Sequence, residues 1–162
     1  MKLLKTIRFD ASDERVFEVA AAPEEWAVSG AFAFADLAAD AIAGKTMQAF
    51  ANGFLGLSSL GRSTFTTVAE AAPEGLEEIE QRLAAHFVSA HGAPGLEAAL
   101  LAAREEAQFI VDLCRDVAIN TVFTVRRTHT GSGRIKEEFR TIRRPTAELP
   151  HARIWTVVDD EP

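Results

Sequence analysis

Trp26-Ala27-Val28-Ser29-Gly30-Ala31-Phe32-Ala33-Phe34 is the stretch on which the fold turns. Bulky side chains at 26, 28, 32 and 34 alternate with Ala and Ser, the two-residue period of a β-strand. The spacing predicts a strand over the whole stretch, with one bulky face and one small face. Gly30 falls on the bulky face and leaves a notch there. The small face would let another element approach closely. The bulky face is expected to form an interior wall against which two amphipathic helices are pressed.

Those two helices are read downstream. Leu76, Ile79, Leu83 and Phe87 repeat at helical spacing after Pro73, a residue suited to a first turn, and His91-Gly92 ends the run. Leu96, Leu100, Ala103, Ala107, Ile110 and Cys114 mark a second helix after the short connection Ala93-Pro94-Gly95. Strands are expected at Lys2 to Phe9, Val16 to Val19, Ser63 to Ala71, Asn120 to Thr128 and Arg134 to Arg143. The last two are joined by the hairpin turn Thr130-Gly131-Ser132-Gly133. A helical turn follows Asp36 as far as Ile42, a helix spans Lys45 to Phe54, and the Gly- and Ser-rich segment Gly53 to Ser63 reads as a loop. Helices grouped between strands predict an α+β fold, a mainly antiparallel sheet of about five to six strands with two longer helices packed on one face. Residues 1–145 form the single domain. Residues 146–162 form a C-terminal tail with an extra strand at His151 to Asp159, which contains Trp155.

With 162 residues, 48% hydrophobic and 25% charged, the chain is sized and composed as one globular domain. A single cysteine excludes a disulfide scaffold. Charges interrupt every apolar run near the N-terminus, and no apolar stretch reaches the roughly 18 residues of a membrane span. A cytoplasmic protein with no membrane association is expected. The net charge of −7 argues against a nucleic-acid partner. Charge is uneven: residues 70–116 carry a net −7 and residues 117–147 a net +5. The paired carboxylates Glu24-Glu25, Glu77-Glu78, Glu105-Glu106 and Glu137-Glu138 read as solvated surface.

Catalytic constellations are missing. His86 and His91 lie five apart, off the four-residue spacing of a helical zinc motif, so neither metal nor other cofactor is expected. Gly56-Leu57-Ser58-Ser59-Leu60-Gly61 lacks the spacing of a serine elbow, and Cys114 sits on an apolar stripe as an inert thiol. No catalytic residue is singled out. Two binding readings remain. In the first, Arg126, Arg140 and Trp155 meet a protein partner or a second copy of the chain, and the protein is a non-catalytic accessory. In the alternative, Ser58, Ser59 and Arg62 hold an anion beside an apolar wall made by Trp26. That pocket would lie near the Gly53–Ser63 loop of a small-molecule or anion-binding module.

The strings Glu25-Trp26-Ala27-Val28-Ser29-Gly30-Ala31-Phe32, Gly53-Phe54-Leu55-Gly56 and Phe139-Arg140-Thr141-Ile142-Arg143 resemble a family of short alphaproteobacterial proteins known as a domain of unknown function. The resemblance covers about residues 2 to 144 and leaves the tail from Pro145 outside. It carries no catalytic residue across. It implies an accessory role linked to cofactor attachment or molybdoenzyme maturation.

Overall fold

The computed structural model describes residues 1–142 and the backbone of residues 160–161. In chain order the elements are β1 (Lys2–Ile7), α1 (Ser12–Val16), β2 (Trp26–Val28), α2 (Gly44–Asn52), β3 (Phe54–Gly56), β4 (Arg62–Ser63), β5 (Phe65–Glu70), α3 (Pro73–Ala90), α4 (Leu96–Cys114), β6 (Val122–His129), β7 (Ile135–Ile142) and β8 (Asp160–Glu161). Between residues 2 and 142 seven strands form one sheet, more than the five to six expected, and the two-residue β8 adds to the edge of β7. The order is β4-β3-β2-β1-β5-β6-β7-β8, with every neighbouring pair antiparallel. The α+β class and the antiparallel sheet agree with the sequence reading. Trp155 and the tail strand expected at residues 151–159 lie outside the described residues.

The sheet is strongly curled. β3 and β7 stand five positions apart, which in a flat sheet is roughly 24 Å at about 4.8 Å per strand. The rings of Phe54 in β3 and Phe139 in β7 are nevertheless 6.2 Å apart, centroid to centroid. The concavity holds a core in which Leu4, Ala27, Val68, Phe123 and Val125 of the sheet meet Ile79, Leu83 and Phe87 of α3 and Ala103, Ala107 and Ile110 of α4. The heptad-like runs read from sequence are the faces these two helices bury. Cys114 ends the α4 stripe fully buried, and burial pushes its thiol up to about 12.

The stretch from 26 to 34 is corrected. It is extended only through Val28; Gly30 adopts φ +80°, and Ala31–Phe34 forms a 3₁₀ turn. Gly30 is required there, because a Cβ would stand 2.5 Å from Arg62 Nη1 and 2.7 Å from Leu55 Cβ, in addition to the left-handed backbone. In a 3₁₀ turn residues two apart do not share a face. Phe32 accordingly packs edge-on against Phe87 of α3 at 4.8 Å, while Phe34 joins Ile42 and Phe50 in a second apolar cluster. The interior wall therefore exists in two parts, joined by a turn.

Three smaller expectations also change. Val16 to Val19 is not a strand: residues 12–16 are helical, and only Ala20 makes an isolated bridge, to Arg62. The turn after Asp36 reduces to a 3₁₀ turn at Ala39–Ala41. The Gly53–Ser63 segment is a hairpin, β3 and β4, closed by Gly56 N–H donating to the Gly61 carbonyl at 2.9 Å, with Leu60 at φ +60°.

Two buried arginines tie the curl shut. The Arg127 side chain, on β6, is 0% exposed. Its Nη1 donates to the carbonyls of Ala49, Phe50 and Gly53 at 3.3, 3.0 and 2.9 Å. Those carbonyls lie at the C-terminal end of α2, where a cation is favoured, and the Ala49 carbonyl also accepts from Gly53 N–H at 3.0 Å. Nη2 donates to the Ser29 carbonyl and Oγ, and Nε to Glu137 Oε2 at 2.9 Å. Arg62, on β4, donates from Nη1 to the carbonyls of Gly30 and Gly53, both at 3.2 Å, and lies 4.9 Å over the Phe34 ring. Arg127 thus joins β6 and β7 to the β2–β3 end of the same sheet. Replacing it with methionine leaves Glu137 and several carbonyls without their donor. Arg127→Met is expected to lose about 3–5 kcal/mol of unfolding free energy in urea titrations. Arg127→Lys is expected to recover little of that, because an ammonium cannot match the guanidinium fork. A loss below about 1 kcal/mol for Arg127→Met would show that the curl is held by apolar packing alone.

Candidate functional site

The residues proposed for an anion are separated by the fold. The Ser58 and Ser59 N–H groups do converge, but on the chain's own Glu25. Its carboxylate accepts from Ser58 N at 2.9 Å, Ser59 N at 2.8 Å, Ser59 Oγ at 2.8 Å and Ala22 N at 2.6 Å. Glu25 is 6% exposed, so one of the carboxylates read as solvated surface is instead an internal anion in a backbone nest. Gly56 makes room for it, since a Cβ there would meet Glu25 Oε1 at 2.7 Å. Arg62 turns inward to its carbonyls. Trp26 packs by Gly75 of α3 and under Lys5, whose Nζ lies 4.7 Å from the ring centroid.

The partner-binding candidates are brought together in part. Arg126 and Arg140 both line a groove of about 420 Å³ with Thr124 and Glu138, on exposed positions of β6 and β7. Arg127, from the same net-positive segment 117–147, points to the opposite side and is buried.

A cavity of about 860 Å³ opens elsewhere, between the 3₁₀ turn, the α3–α4 hairpin and β7. Its walls include the rings of Phe32, Phe87 and Phe109, and its polar groups include Ser29, Asp36, Glu105, Glu106 and Glu137. The local sequence explains the space. Ala98 and Ala102 precede Glu105, Glu106 and Phe109 along α4, on a stripe beside the buried Ala99, Ala103, Ala107 and Ile110. Small side chains leave room at one end, and carboxyls and a ring fill the other.

The carboxyls differ in their support. Glu137 is held: Oε2 accepts from Arg127 Nε and from Ser29 Oγ. Glu106 is half-buried and, among the described residues, has neither a hydrogen bond nor an ion pair. Burial, then the neighbouring Glu137 charge, raise its carboxyl above the ordinary value of 4.5, against the opposing pull of Arg127. At the rim, His86 and His91 meet with Nε2 atoms 3.1 Å apart, and both rings stand edge-on to Phe32. Burial, then the His91 charge, lower His86, so a neutral imidazole is available to accept from its neighbour.

The chain belongs to the DUF6505 family. Residues 1–160 match the model of this family, whose description is a family of unknown function. The match runs through the tail that the sequence resemblance left outside. No curated protein and no solved structure matches the chain. Among the described residues, no helix is long and apolar enough to cross a membrane, and no three His, Cys, Asp or Glu side chains are grouped to hold a metal ion.

The cavity is not evident from the sequence, in which Glu105-Glu106 and Glu137-Glu138 read as solvated pairs. The available signal was the α4 stripe of two alanines, an acid and a phenylalanine next to the core stripe. The raised Glu106 carboxyl gives a signed prediction. A carboxyl raised by folding contributes stability that is complete below its ordinary pKa and is lost as pH rises through its folded value. Glu106→Gln removes that loss. Thermal melts should show the variant more stable than wild type at pH 8 and equal to it at pH 4. A difference of constant size across that range would contradict the assignment.

Proposed function

We propose that this protein is a non-catalytic small-molecule-binding module whose site is the 860 Å³ cavity between the α3–α4 hairpin and the sheet. The observation that carries this reading is the cavity's make-up. Its volume lies in the roughly 300–1,000 Å³ range of small-ligand sites, and few polar groups converge among apolar walls. The walls belong to packed elements: Phe87 is in the core of α3, and Glu137 is fixed by the buried Arg127. Such a site is formed before a ligand arrives, so little ordering is needed on binding.

Ala102 lines this cavity from an exposed position on α4, where a larger side chain disturbs no core contact. Nile red, an uncharged dye whose emission responds to polarity, is expected to bind saturably at one site per chain. Ala102→Trp should weaken that binding at least tenfold while the melting temperature stays within a few degrees. Equal dye binding by the variant and wild type removes the reading.

A second reading, an accessory protein that docks a partner protein, is favoured by the outer edge of β7. There β8 pairs only at Thr141 and Ile142, and among the described residues no strand covers Ile135 to Arg140 on that side. An extended segment could add to that edge next to Arg126 and Arg140. An acidic segment fits those side chains. If so, a stoichiometric partner purified with the wild-type protein from its native cells should be lost on Arg126→Glu combined with Arg140→Glu. Isolation of the wild-type chain alone would count against it. A link to cofactor or molybdoenzyme maturation belongs to this second reading and would be visible in the identity of that partner.

A further inference from the structure

Glu106 lacks a partner. It faces the cavity from the half-buried side of α4, with no donor to its carboxyl among the described residues. Among the described residues it is therefore a partly desolvated acid that only the more distant Arg127 charge opposes, with no donor bonded to it, an arrangement that a bound donor or ion would satisfy. Asp36 and Glu105 line the same cavity and form no ion pair among the described residues, while Glu137 has its Oε2 engaged by Arg127 and Ser29. Among the described residues no lysine or arginine lines the cavity and His91 is its one basic group; Arg127, behind Glu137, is spent on it and on backbone carbonyls. The rest of the lining is Ser29, His91, small residues and the rings of Phe32, Phe87 and Phe109, and aromatic rings favour both hydrocarbon and a cationic head.

We infer that the cavity takes an organic cation, a protonated amine carrying an apolar or aromatic portion, with Glu106 as the carboxylate that receives the ammonium and Phe32, Phe87 and Phe109 as the walls for the apolar part. This rests on the small-molecule reading above and names the ligand class for the same site. The geometry sets the division of labour. Glu137 is already committed to Arg127 and Ser29, so it contributes charge without being free to move. Glu105 and Asp36 are exposed and act through solvent at the rim. Glu106 alone is both sheltered and uncommitted. An ammonium there exchanges a desolvated lone carboxyl for a charge-assisted hydrogen bond, the stronger class of such bonds. A neutral ligand of the same shape leaves Glu106 as it stands, and an anionic one adds like charge to the site.

Three probes that share a phenylethyl body test this: 2-phenylethylamine, 2-phenylethanol and 3-phenylpropanoate, each titrated at pH 7 into ¹⁵N-labelled full-length protein. Shifts of the backbone resonances of residues 87–109 are followed. The amine is expected to bind at least tenfold more tightly than the alcohol, with the propanoate weakest. In Glu106→Gln the amine should lose most of that advantage while the alcohol is unaffected. The variant's unfolding midpoint reports separately that it is folded. Equal or tighter binding of the alcohol or the propanoate, an amine preference unchanged by Glu106→Gln, or no shifts with any probe overturns the ligand class. The Nile red response to Ala102→Trp decides the pocket reading independently. A dye site that survives with no amine preference sinks this inference alone.

Discussion

Everything in this fold depends on a charge placed where there is no water. Arg127 is buried to the tip and bonded to the Ser29, Ala49, Phe50 and Gly53 carbonyls and to Glu137. A guanidinium in such a position is tolerated only with its donors satisfied, and these acceptors come from β7, the end of α2 and the β2–β3 region together. The sheet must curl for them to meet. Apolar burial alone is non-directional and would accept several curvatures. The guanidinium fork accepts far fewer. Arg62 repeats the device from the other side and shares the Gly53 carbonyl with Arg127. With one carboxylate to two guanidinium groups, the balance is made up by backbone carbonyl dipoles. Burial and the Arg127 charge together pull Arg62 below its ordinary pKa.

The same network shapes the cavity. Glu137 is fixed by Arg127 and Ser29, and it forms part of the cavity lining. Ser29 in turn stands directly before Gly30, whose left-handed turn sends Phe32 toward α3 and Phe34 toward α2. The turn that divides the expected wall into two parts also places Phe32 beside the opening. Structure and candidate site are therefore one arrangement: loosening Arg127 would unfix a carboxylate of the cavity as well as the curl.

What the sequence made legible follows from how many residues carried each signal. α3 and α4 each repeat their apolar stripe over four or five turns, and both fall within a residue or two of their expected ends. The stretch from 26 to 34 had only nine residues, and its alternation of Phe with Ala suits a 3₁₀ turn as well as a strand. Nothing short of the Gly30 backbone could separate the two. Arg127 shares parity with Phe123 and Val125 in β6, so its burial was readable from the strand period. Reading the hairpin by its net charge hid this. Glu25 was harder, because the donors that bury it, Ser58 and Ser59, lie more than thirty positions along the chain. The serines and the nest were visible, but the anion that fills the nest is local to the protein and not a ligand. The cavity depended on the packing of three separate segments, and sequence spacing within any one of them could not show it.

The β6–β7 hairpin serves two surfaces at once. From Thr124 to Thr128 in β6 and from Ile135 to Arg140 in β7 its strands alternate between a more buried and a more exposed face. Arg127, Glu137 and Phe139 face the core and the cavity, while Arg126, Glu138 and Arg140 occupy the alternate positions. A strand period of two residues makes these sets independent: a side chain on one face reaches nothing on the other. The proposed small-molecule site and the proposed docking edge of β7 therefore draw on different residues of the same two strands. They are coupled only through the strands' own rigidity. A partner that added a strand beside β7 would brace the segment holding Glu137 without touching the cavity. The β6–β7 hairpin is therefore an element common to the proposed cavity site and the proposed docking edge.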